Sequence, residues 1–200
     1  MITDAAPVLW LLVGPNGAGK STYYTRRIRP ILDAPLVNAD LIALDRWPDA
    51  PAQHAWEALR EADAVRAALI EARRSFVTET VFSHPSRVEL LRAARAAGYT
   101  IWLTFIHLAS AELALARVAD RVRHGGHDVP EGRIRARYAR MPRNVIDALP
   151  HVDRLFVIDN SEEGRAFRTV LAFDRGALTW RAPDLPGAIA NLFRDAITDD

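Results

Sequence analysis

Apolar positions along the chain follow two different periods. Pro7 to Val13 is a continuous apolar stretch of strand length closed by Gly14, the pattern of a strand buried on both faces. Pro35 to Asn38, Ser75 to Thr78, Tyr99 to Leu108 and Arg154 to Ile158 are further strand-length runs. Between them the spacing becomes helical. Lys20 to Arg29 should be a helix that stops at Pro30, and Ala52 to Arg74 one with Trp56, Leu59, Val65 and Leu69 as its inward stripe. Ser86 to Ala97 turns Val88, Leu91 and Ala94 inward and closes at Gly98; Ala111 to Arg123 is another helix. Arg133 to Arg140 and Val145 to Leu149 read as two helical pieces, and Pro186 to Ile197 as a closing helix. Arg168 to Asp174 and Ala177 to Arg181 flank Arg175-Gly176 as a hairpin. Strands alternating with helices predict an α/β fold, a mostly parallel sheet covered on both faces in three layers and ending in a short β-hairpin. No repeat, low-complexity segment or linker interrupts the 200 residues, so residues 1–200 are expected to form one domain.

The first strand-to-helix turn carries the clearest chemistry. Gly14-Pro15-Asn16-Gly17-Ala18-Gly19-Lys20-Ser21, followed by Thr22, fits G-x-x-x-x-G-K-[ST]. Glycines let successive backbone N–H groups point inward at phosphate oxygens, and the helix that follows adds its positive end. In such a loop Lys20 reaches the β- and γ-phosphates and the Ser21 hydroxyl ligates Mg²⁺. The bland alternative is a chance glycine-rich turn. Against it, a buried strand precedes the motif, a helix follows, and Lys20 is the only lysine among 26 basic residues. Residues 14–22 are therefore predicted to bind ATP, with Mg²⁺ on Ser21.

In a doubly wound sheet, ligands sit outside the C-terminal strand ends. Three carboxylates fall there. Asp40 follows the second strand, where it can take a proton from an acceptor hydroxyl or help hold Mg²⁺; its alternative is a helix N-cap. Glu79 ends a strand too short to leave its terminal charge buried, and can hold acceptor hydroxyls or a metal-bound water; its alternative is a loop carboxylate paired with an arginine. Asp159, with Asn160 and Ser161, fits a cap on a helix near Glu162 as well as a nucleotide contact. The histidines show no metal-ligand spacing.

Arg117, Arg121, Arg123, Arg133, Arg135, Arg137, Arg140 and Arg143 crowd between residues 117 and 143, broken by Gly125, Gly126, Pro130 and Gly132. They read as a lid whose guanidiniums neutralise charge on a transferring phosphoryl group. A solvated helix face is the plainer reading, and RNA binding a third. Nucleic acid is not expected: the net charge is only +1 and aromatics are not interleaved for stacking. The absence of cysteine excludes disulfides and thiolate metal sites, and no apolar run spans a bilayer, so a soluble cytoplasmic protein is expected.

With these motifs in order, the chain resembles the zeta toxin family, in its branch of compact bacterial P-loop proteins. The resemblance rests on the phosphate loop, Asn38-Ala39-Asp40, Thr78-Glu79-Thr80, Arg117 to Val122, Gly125-Gly126-His127-Asp128-Val129-Pro130, Arg137-Tyr138 and Asp159-Asn160-Ser161, and runs from Val8 to Ser161. It implies a P-loop kinase fold and transfer of the ATP γ-phosphate to a sugar hydroxyl of UDP-N-acetylglucosamine, with an antitoxin protein as partner. Asp40 matches the catalytic base and Glu79 the acceptor-binding glutamate, with Thr80 beside it. Arg121 and Arg137 match the arginines on the ATP phosphates, with Arg135 and Arg117 as alternates. The chain departs from the pattern at Ala136, where the branch often has an arginine, and from Leu41 to Arg74. The function expected is thus an ATP- and Mg²⁺-dependent phosphotransferase acting on a hydroxyl of a small acceptor such as a UDP-sugar. A nucleotide-binding switch without an acceptor, or a nucleotide- or RNA-end kinase, are the alternatives.

Overall fold

A computed structural model of the chain describes residues 6–84, 86–126 and 128–197. Its core is one seven-stranded sheet in the order β2-β3-β1-β4-β5-β6-β7. The strands are β1 (Val8–Val13), β2 (Leu36–Val37), β3 (Phe76–Thr80), β4 (Thr100–His107), β5 (Arg154–Asp159), β6 (Arg168–Asp174) and β7 (Ala177–Arg181). The first five run parallel, and β6 and β7 append an antiparallel hairpin.

Alternate side chains of β1 enter opposite cores, which is why its sequence is apolar throughout. Leu9, Leu11 and Val13 join residues of α3 (Ala55–Glu71), α4 (Ser86–Ala96), α6 (Glu131–Ala148) and α7 (Gly187–Leu192). Trp10 and Leu12 join Ala18, Ile28, Ala114, Val118 and Ile134 on the other face, beneath α1 (Lys20–Tyr23) and α5 (Ala111–Arg123). The expected three layers result.

Several elements differ from the sequence reading. The first helix keeps its α form only to Tyr23, then widens into a π turn over Tyr24–Ile28 that carries Ile28 into the core. An unexpected helix, α2 (Ala39–Arg46), follows β2 directly. In α3 the buried stripe is Ala58, Ala62 and Arg66, while Trp56 and Val65 are exposed. The small alanines let α3 approach the core closely and Trp56 and Val65 turn outward, while Leu69 packs against the core as expected. The two pieces around Pro142 are one helix, α6, because Ile134, Met141, Val145 and Ala148 are all buried along it, and tertiary burial outweighs the helix-breaking tendency of proline. The closing helix divides into α7 and α8 (Arg194–Ile197), with Phe193 buried between them. No helix begins near Glu162; Asp159 instead accepts from the backbone N–H and the hydroxyl of Ser161. Pro85 and His127, the latter part of the arginine-flanked motif, lie outside the described residues.

Candidate active site

The phosphate loop joins β1 to α1 at the C-terminal edge of the sheet. Gly19 caps α1 with φ +84°, a left-handed conformation that side chains resist. A Cβ on Gly14 would lie 2.6 Å from the Ile106 carbonyl oxygen, so only glycine fits against β4. Lys20 is buried and folds back, donating from Nζ to the carbonyls of Gly14 and Pro15 at 3.0 and 3.1 Å. Ser21 and Thr22 stand exposed on the first turn. Behind the loop, Asn160 Nδ2 donates to the Ala18 carbonyl at 2.9 Å and Asn160 Oδ1 accepts from Phe167 N at 3.2 Å, tying the end of β5 to the loop.

Glu79 meets the loop from the neighbouring strand. Its Oε2 accepts from the Ser21 hydroxyl at 3.1 Å and its Oε1 lies 3.8 Å from Lys20 Nζ. The Glu79 side chain is only 11% exposed, contrary to the expectation of an unburied charge. β3 extends through Thr80, two residues past the expected end, so Glu79 stands within the strand, beside Leu12 of β1.

Asp40 is not an N-cap. That role belongs to Asn38, whose Oδ1 accepts from Asp40 N at 2.7 Å and Leu41 N at 3.4 Å. The Asp40 carboxylate lies in the first turn of α2, where a negative charge suits the helix dipole.

A cleft of about 520 Å³ collects these groups. Lys20, Asp40, Glu79, Thr80, Arg121 and Arg137 all line it, drawn from β1's loop, α2, β3, α5 and α6. Burial lowers the Lys20 pKa; the Glu79 and Asp40 carboxylates oppose that, and Arg121 and Arg137 add to it. Burial likewise lowers the Arg137 pKa, with Arg133 adding to it and Asp40 acting against it. Buried Oδ1 of Asn16 has no partner among the described residues, a polar atom left to meet something entering the cleft.

The other arginines of the 117–143 stretch divide. Arg135 is bound by Glu112 at 2.6 Å and Glu131 at 2.9 Å on an exposed face. Arg123 pairs with Asp120 and Arg143 with Asp147 on the surface. Arg117 does not line the cleft, but its Cβ packs close to Gly17. Arg140 does line it. The cleft also holds residues that sequence reasoning missed, Asp63 and Arg66 on α3 and Arg87 on α4. The one available signal was Arg66, a charged residue on the i, i+4 stripe of Ala58 and Ala62.

A phosphate loop at the edge of a sheet ordered 2-3-1-4-5, with helices on both faces, defines a P-loop nucleotide-binding protein of kinase-like fold. The AAA domain family matches residues 9–143, and the chain belongs to it. An uncharacterized protein of Haemophilus influenzae is 30% identical over 125 residues, covering 62% of this chain and 88% of its own. Among solved structures, a chain of the AvrRxo1-ORF1:-ORF2 complex with ATP superposes with a TM-score of 0.71 at 18% identity, covering 97% of this chain and 64% of its own. A chain from the PezAT chromosomal toxin–antitoxin system of Streptococcus pneumoniae superposes with a TM-score of 0.65 at 13% identity, covering 96% and 85%. The protein thus spans less than two thirds of the AvrRxo1 chain and shares the fold of both.

Proposed function

We propose that the protein is an ATP-dependent phosphotransferase that moves the γ-phosphoryl group to a hydroxyl of a small acceptor. The observation that carries this reading is the convergence of Lys20, Asp40, Glu79, Arg121 and Arg137 on one cleft. A loop that only grips nucleotide needs the lysine; a carboxylate facing it across the cleft adds what an acceptor alcohol requires. Residues 14–22 bind the triphosphate, and Lys20 exchanges its two loop carbonyls for the terminal phosphates. Asp40 orients the acceptor hydroxyl and takes its proton as the oxygen attacks the γ-phosphorus. The bond from that phosphorus to the β,γ-bridging oxygen breaks, and ADP leaves. Arg121 and Arg137 neutralise the charge spread over the transferring group.

The Ser21 hydroxyl and Glu79 carboxylate, 3.1 Å apart, are adjacent hard oxygen donors of the kind Mg²⁺ takes. No group of three or more His, Asp or Glu that could hold a metal occurs among the described residues. Ser21 and Glu79 would hold Mg²⁺, which would neutralise phosphate charge there. Glu79 thus has a role at the nucleotide as well as the acceptor contact, shared with Thr80, that the zeta toxin resemblance implies. The same resemblance brings a UDP-sugar into the proposal as acceptor and an antitoxin protein as partner; the likeness to a chain of a toxin–antitoxin system supports the antitoxin alone.

Asp40→Asn tests the assignment. It keeps the shape of the cleft and removes the base. ATP affinity measured by calorimetry should stay within about twofold, while transfer, read as gain of one phosphate on acceptor by mass spectrometry, falls about 10²–10⁴-fold. Transfer at the wild-type rate would show that Asp40 is not the base.

A further inference from the structure

The wall of the cleft formed by α3 and α4 has its own charge arrangement. Arg66 is 3% exposed, yet lines the cleft. Its Nε donates to Thr78 Oγ1 at 2.8 Å and its Nη1 to Asp63 Oδ1. The Thr78 hydroxyl donates onward to the Val37 carbonyl at 2.9 Å. Anchored through β3 and β2, the guanidinium cannot swing away. Arg87, 14% exposed, donates from Nη1 to the same Asp63 oxygen at 2.8 Å.

Two guanidiniums therefore share one oxygen of a single half-exposed carboxylate. Among the described residues no other carboxylate pairs with either of them. Buried cations are normally matched by anions, since desolvation costs far more than one shared, partly hydrated carboxylate returns. Burial and then the charge of Arg87 lower the Arg66 pKa, and Asp63 opposes them. One positive charge is left without an opposite partner at a cleft wall. Guanidinium forks suit oxyanions with two or three oxygens. Trp56, 68% exposed, and Leu59 line the same cleft and offer an apolar wall to a carbon skeleton.

We propose that Arg66 and Arg87 form an oxyanion subsite, so that the acceptor is a small hydroxylated anion whose phosphate or carboxylate seats on this pair while its hydroxyl faces Asp40. The hydroxyl's fate rests on the phosphotransferase reading; the subsite does not.

The test fills the phosphate loop first. Protein saturated with Mg²⁺ and a non-hydrolysable ATP analogue is titrated calorimetrically with inorganic phosphate and with acetate, as wild type, Arg87→Met and Arg87→Lys. Arg66 is left intact because its bonds to Thr78 and Asp63 also hold the fold. The expected result is 1:1 binding of at least one anion, at least tenfold weaker in Arg87→Met and partly restored in Arg87→Lys, with analogue affinity unchanged. Tighter phosphate binding identifies a phosphate monoester, tighter acetate a carboxylate. No binding of either anion, or equal binding by Arg87→Met, overturns the subsite. If the analogue itself fails to bind while phosphate binding still depends on Arg87, the subsite stands and the phosphotransferase reading falls.

Discussion

At the scale of single residues, Lys20 shows the conflict between stability and function most directly. Its ammonium is buried beside Glu79 and Asp40, and two carboxylates would ordinarily favour the charge. Burial nevertheless dominates, helped by Arg121 and Arg137, and the Lys20 pKa lies below 10.5. A lysine whose folded pKa is depressed destabilises the fold while charged; that cost is relieved as pH rises through the folded pKa toward 10.5. Lys20→Met removes the cost at neutral pH. Its urea midpoint without nucleotide should therefore equal or exceed that of the wild type, while stabilisation by Mg-ATP disappears. An unfolding free energy lower by more than about 1 kcal/mol would mean that the contact to Glu79 outweighs desolvation after all.

At the scale of elements, the end of β5 acts as a brace for the phosphate loop. Asn160 holds the Ala18 carbonyl, and Asp159 fixes the turn that presents it. Burial alone would raise the Asp159 pKa. Nearby His107, Ser161 and Arg168 outweigh burial and hold it well below 3.8. A depressed carboxylate stabilises the fold above its unfolded pKa and loses that contribution as pH falls through the folded one. Unfolding in urea between pH 7 and pH 2 should thus show wild type more stable than Asp159→Asn by about 1–3 kcal/mol at neutral pH, the gap closing below 3.8. A gap independent of pH would place the effect in packing rather than charge. None of this brace is readable locally, because Asp159 and Ala18 are far apart in sequence. What was readable was periodic or locally constrained: the strand Val8–Val13, the helix Ala111–Arg123, the hairpin strands and the loop from Gly14 to Ser21. Where tertiary contacts decided the outcome, sequence reasoning failed. Pro142 did not divide α6 because the core on both sides of it holds the helix together. Trp56 looked like core and lines a cleft, because alanine stripes bury α3 on a different face. Lys20, Asp40 and Glu79 could be picked out by type and spacing, and Arg121 and Arg137 through the family resemblance, whereas the pairing of Arg87 with Asp63 joins separate helices with no local signal.

At the scale of the whole molecule, a nearly neutral chain gathers six of its 26 basic residues at one cleft. Net charge is +1, yet Lys20, Arg66, Arg87, Arg121, Arg137 and Arg140 line a cleft that also contains Asp40, Asp63 and Glu79. A groove of that kind focuses field on an anion without making the surface as a whole basic. Its walls come from segments between Asn16 and Arg140, so nucleotide and acceptor seated there together would span β1's loop, α2, β3, α5 and α6. Binding energy is then shared across the sheet, and the chain should respond as one unit. Calorimetric melting should show a single transition. At Mg-ATP-analogue concentrations about 100 times Kd, linkage adds about 2.7 kcal/mol. For a chain of 200 residues that corresponds to an upward shift of roughly 5–10 °C. Two separated transitions, with only one moving on nucleotide addition, would instead divide the chain into independently folding parts and confine the site to one of them.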